Sequence, residues 1–139
     1  PINSVSQTAN RNRVIKGGFM ENRLNLLCEA GVIDKPVCNT MLRVVRRLET
    51  EWRLPVRTEQ GAMAITHMAS ALMRSRRGEV IEPLDAELLA EMARSPSWPA
   101  ILQAHKALLK ECDVRLHTSE EGYLLANLYG LWMAAQDNV

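Results

Sequence analysis

The sequence predicts an all-α protein, a single compact bundle of five or six helices, on three observations. Apolar residues recur at intervals of three and four along most of the chain and do not alternate. The apolar content is aliphatic and rich in methionine, while Phe, Trp and Tyr make up only 4% of the residues, a composition poorly suited to a β-sandwich. Proline and glycine stand at short punctuating positions between the periodic segments. With 47% hydrophobic residues, 139 residues suffice for one domain with its own core and leave no room for a second.

Residues 1–19 are polar, aperiodic and rich in Asn, Ser and Arg, so a flexible tail is expected there, with the packed domain over 20–139. Lys16-Gly17-Gly18-Phe19 is compatible with codons for a purine-rich ribosome-binding site just ahead of Met20, which makes Met20 the expected natural start. The first helix is expected over Asn22 to Ala30, with Leu24, Leu27 and Cys28 on one face and Gly31 just past its end. A second opens at Asp34 as N-cap with Pro36 in its first turn and runs to about Arg53, its stripe formed by Val37, Met41, Val45, Leu48 and Trp52. Leu54-Pro55-Val56 interrupts the chain before a third helix, capped by Thr58 and ending near Arg77-Gly78.

A short fourth helix follows Pro83 and carries Leu84, Leu88, Leu89 and Met92. The fifth runs from the Ser95–Pro99 break to about Cys112, with Trp98, Ile101, His105, Leu108 and Cys112 on one stripe, so His105 is expected as a packed, hydrogen-bonded core or boundary residue. The sixth opens on Thr118-x-x-Glu121, the pattern of a capping box, and buries Leu124, Leu125, Leu128, Leu131 and Trp132. Glu120 and Glu121 then complement the positive end of the helix dipole.

The net charge of +1 conceals two opposed halves: residues 1–80 hold 13 Lys/Arg against 7 Asp/Glu, and residues 81–139 hold 4 against 9. Such surfaces pair within a bundle or across a homodimer, and direct nucleic-acid binding is not expected, because its footprint makes a whole domain basic. Three cysteines without C-x-x-C spacing read as small core hydrophobes, and with no apolar run of 18 residues no membrane insertion is expected. A cytoplasmic protein is the expectation. No G-x-S-x-G, phosphate-cradling loop, H-E-x-x-H or three-ligand metal pattern occurs, so neither an enzyme nor a cofactor is expected.

One helix carries the chemistry that remains. On the third, Ile65 centres an apolar face with Ala62, Met68, Ala69 and Leu72, while His67, Ser70 and Arg74 fall opposite it. His67 and Arg74 are seven residues apart on one stripe, roughly 10 Å along the axis. The run THMASALMR resembles the first phosphorylation segment of the PTS regulation domain, with His67, Ala71 and Arg74 at matching spacing. SEEGYLLANLYG resembles its second segment through Glu120, Gly122 and Tyr123, and RLETEWRLPVRTEQG resembles the approach to the first histidine. The similarity spans about residues 21–135. Thr66 stands where the family often has Asp, and Asn127 stands at the second histidine position.

The resemblance implies a five-helix, non-catalytic regulatory homodimer, free-standing here, that controls transcription or sugar metabolism. It would receive a phosphoryl group on His67 from a phosphocarrier or a sugar-specific component of the phosphotransferase system. Arg74, or Arg43, Arg46 and Arg47 from another helix or subunit, would pair with the new anion, and Asn127 would hold a regulatory place. Arg74 is then expected to be dispensable for the fold. The alternative is a degenerate module that only dimerises or binds a partner.

Overall fold

The computed structural model describes residues 18–137, which form six helices and no strand. Residues 1–17, where most of the expected tail falls, lie outside the described residues. The helices are α1 (Phe19–Glu29), α2 (Lys35–Thr50), α3 (Glu59–Arg76), α4 (Ala86–Met92), α5 (Trp98–Glu111) and α6 (Thr118–Asp137). The all-α bundle expected from the periodicity is the fold observed. α2 packs on α1, α3 and α5; α6 packs on α3, α5 and α4. One core joins them, with Met20 and Leu24 from α1, Met41 and Val44 from α2, Leu72 from α3, Ile101 from α5 and Leu131 from α6 all nearly inaccessible.

The start signals act as their chemistry requires. Asp34 Oδ1 accepts the Val37 N–H at 2.9 Å with Pro36 in the first turn, and Thr58 Oγ1 accepts the Gly61 N–H at 3.0 Å. α1 begins at Phe19, three residues before the expected start, and so buries Met20 beside Leu24. It closes through Gly31 (φ 77), whose left-handed backbone lets the Gly31 and Val32 N–H groups bond the Cys28 and Leu27 carbonyls. α2 stops at Thr50, short of Arg53, because the chain turns there with Arg53 itself at φ 50. Arg57, in the following loop, donates to both carboxylate oxygens of Glu49 (2.6 and 3.0 Å) and of Glu21 (2.6 and 3.0 Å), tying α1, α2 and the loop together.

α4 is shorter than expected, opening on Asp85, whose Oδ1 accepts the Glu87 N–H at 3.0 Å. No residue of α4 is fully buried, and Leu88 is half exposed. The capping box expected for α6 does not form. The helix starts one residue earlier, capped by His117, whose Nδ1 accepts the Ser119 N–H at 3.1 Å, while Thr118 is exposed. Glu120 faces inward, in line with the buried Leu124, Leu128 and Leu131.

Candidate functional site

The C-terminal turn of α3 and the N-terminal turn of α6 are joined by a clasp. Arg74 Nε donates to Glu120 Oε2 at 2.8 Å and Nη2 to Oε1 at 3.0 Å, a parallel two-point pair. The Glu120 side chain is 1% exposed and that of Arg74 33%, so the carboxylate is desolvated while the guanidinium reaches the surface. The bond to Glu120 raises the Arg74 pKa, locking in its charge. Beside the pair, the His117 N–H donates to Ser75 Oγ at 3.1 Å. One turn on, Tyr123 Oη donates to the Glu82 carbonyl at 3.1 Å, and Gly122 lies against Leu84 so closely that an added Cβ would stand 2.8 Å from Leu84 Cβ. The start of α6 is thereby fastened both to α3 and to the segment leading into α4.

Arg74 therefore has a different partner from the one the sequence analysis assigns it. The signal for this lay in the sequence: Glu120, Leu124, Leu128 and Leu131 run at intervals of four, four and three, so Glu120 continues a buried stripe and a carboxylate there requires a cation. Arg43 and Arg47 are also committed. Arg43 Nε pairs with Glu111 at 3.2 Å; Arg47 pairs with Glu51 at 2.8 Å and Glu111 at 3.3 Å and lies over the Trp52 ring. Both clip α2 to the end of α5, and neither is bonded to anything on α3 among the described residues.

His67 is exposed on α3 and makes no hydrogen bond or ion pair among the described residues. Its neighbours at i−3 and i+4, Ala64 and Ala71, are buried, so it stands on the edge of the helix that borders α6. Asn127 is half-buried on α6, its Nδ2 donating to the Tyr123 carbonyl at 3.0 Å. It lines a surface groove with Gln60, Met63, Ala64, Ala126 and Gly130, one helical turn from His67. It also lines a cavity of about 30 Å³ between the helices, together with His105 and apolar residues such as Leu48, Met68 and Leu124.

His105 is buried as expected, but its ring has no hydrogen bond among the described residues. Burial pushes its pKa down; Glu121 opposes this and Lys106 adds to it. In the unfolded chain the imidazole protonates near its ordinary value of about 6.5, whereas in the native state it resists protonation. The unfolded state thus binds the proton first, and stability held above that pH is lost as pH falls through it. Urea titrations should give a lower midpoint at pH 5.5 than at pH 7.5, and His105→Leu should flatten this difference; an unchanged pH slope in the variant would assign the effect elsewhere.

The three cysteines are unpaired, and burial raises the thiol pKa of Cys38 and, to about 11, of Cys112, consistent with small packed side chains. Among the described residues no group of three or more His, Cys, Asp or Glu is placed to hold a metal ion. No described helix is long and apolar enough to cross a membrane.

The fold and clasp thus define a small helical bundle with two exposed histidines, of which His117 is hydrogen-bonded to Ser119 and His67 has no such bond among the described residues. The chain belongs to the family of the uncharacterized protein YhfY of Escherichia coli (strain K12), with which it is 69% identical over 120 residues, 86% of this chain and the whole of that protein. An uncharacterized protein of Haemophilus influenzae (strain ATCC 51907 / DSM 11121 / KW20 / Rd) is 31% identical over 99 residues, covering 71% of this chain and 79% of that one. No protein-family model and no solved structure matches the chain.

Proposed function

We propose that the protein is a non-catalytic regulatory module of the PTS regulation type, acting on transcription or sugar metabolism as a cytoplasmic homodimer and responding to phosphorylation of His67. One observation carries the reading. Of the six residues on which the resemblance rests, Ala71 is in the core, Arg74 and Glu120 form the clasp, and Gly122 and Tyr123 seat the segment before α4. His67 alone has no structural task among the described residues. A histidine kept free on the surface, beside a scaffold that fixes its helix, suits a nucleophile that must meet a donor protein.

In the proposed step a phosphorus–nitrogen bond on the donor's phosphohistidine breaks and one forms to a ring nitrogen of His67. The proton displaced from the His67 ring passes to the donor imidazole, directly or through solvent. Incubation with a reconstituted phosphotransferase system and phosphoenolpyruvate should add one acid-labile phosphoryl group by intact mass. His67→Ala should abolish it while moving the melting temperature by less than about 2 °C, since an exposed side chain is removed. A chain that stays unmodified would leave the partner-binding or dimerising module as the function.

A further inference from the structure

Resting on the reading of His67 as phosphoacceptor, we infer that Arg23 of α1 is the residue that pairs with the phosphoryl group, in place of Arg74, Arg43 or Arg47. Arg23 Nε donates to Thr66 Oγ1 at 3.3 Å, an exposed bond that links α1 to α3. Thr66 immediately precedes His67, its Cα about 3.8 Å from that of the histidine. Its hydroxyl donates in turn to the Ala62 carbonyl at 2.8 Å, which fixes it as the acceptor for Arg23. The guanidinium is thereby held at the residue next in sequence to the histidine, about 100° round the helix from it, its terminal nitrogens without partners among the described residues and within a side-chain rotation of the exposed face that carries His67.

The other basic candidates fail on charge. Arg74 is bound at two points to a buried carboxylate, and leaving it would strand Glu120 unpaired in the interior. Arg43 and Arg47 are held by Glu111. Arg23 has no carboxylate partner among the described residues and is exposed, so moving its fork from a neutral hydroxyl to an adjacent phosphoryl dianion exchanges a weak, long hydrogen bond for charge-assisted ones. The consequence is a phosphorylation-dependent bond between α1 and α3, formed without disturbing the core. Thr66, where the resembling family often carries an acid, is what leaves Arg23 free: a carboxylate there would hold the guanidinium permanently.

The test separates this pairing from the reading beneath it. The full chain is loaded with phosphoramidate, a small donor that needs no protein recognition; because His117 is exposed as well as His67, the phosphohistidine ³¹P resonance absent from His67→Ala is assigned to His67, and that resonance is titrated in the parent and in Arg23→Gln. Pairing with a cation favours the dianion, so Arg23→Gln should raise the phosphoryl pKa by about 0.5 unit at low salt, a difference that 0.5 M NaCl suppresses. Arg46→Gln, which alters an exposed arginine on α2, should leave the titration unchanged. Superimposable titrations of parent and Arg23→Gln overturn the assignment, whatever the phosphotransferase system does. A failure of that system to modify the chain overturns the regulatory reading alone, since the chemical loading does not depend on it.

Discussion

Arg74→Ala should destabilise the protein by about 3–5 kcal/mol, the range for breaking a buried ion pair by removing one partner. The Glu120 carboxylate, 1% exposed and bonded at both oxygens to the guanidinium, would be left charged or forced to protonate inside the α3–α6 contact. In a domain of this size the loss corresponds to a fall of about 12–20 °C in melting temperature. Glu120→Gln should cost less, because Arg74 is 33% exposed and regains water once its partner is neutral. The double replacement Arg74→Met with Glu120→Leu should recover most of the loss, since a packed apolar pair carries no desolvation penalty. Equilibrium urea unfolding of the four proteins ranks them; a loss below about 1 kcal/mol for Arg74→Ala would mean that the pair is solvated and the clasp is not structural. This geometry sets the expected result against the sequence expectation that Arg74 is dispensable for the fold.

Gly61→Ala should be nearly as damaging. Gly61 is buried in the first turn of α3, where the chain folds back so tightly that an added Cβ would stand 2.6 Å from Val56 Cα and 2.5 Å from Val56 C, with the Val56 carbonyl oxygen closer still. These are backbone atoms, and Val56 itself is 1% exposed, so no side-chain rotation relieves the overlap. Either the loop between α2 and α3 shifts, straining the Arg57 ties to Glu21 and Glu49, or the first turn unwinds and the Thr58 cap is lost. A loss of about 3 kcal/mol is expected, at the upper end for overpacking a core. Gly130→Ala is the matched control: its added Cβ meets the mobile end of the Gln60 side chain at 2.9 Å, which can move aside. Thermal denaturation should rank the parent and Gly130→Ala together, well above Gly61→Ala; equal melting temperatures for the two variants would show that the loop yields freely.

Most of the fold was legible in the sequence because its signals are local. The stripe from Val37 to Leu48 is a property of spacing, and Asp34 and Thr58 cap their helices through hydroxyl or carboxylate oxygens only three residues from the amides they satisfy. His67 on the surface and His105 in the core also follow from their angular positions on single helices. Family membership added no chemistry, the two relatives being themselves uncharacterized.

What the sequence by itself determined was the all-α class and the faces of the long helices, because 3.6-residue periodicity and caps are set within one or two turns. The tertiary structure alone decided where the charges go. His117, and not Thr118, caps α6, its own N–H held by Ser75 42 residues away, and Glu120 meets Arg74 across 46 positions of sequence. Arg23 reached Thr66 across 43. A long side chain can address any of several helices, and only the packing of apolar faces, which fixes the helices relative to one another, selects the partner it meets.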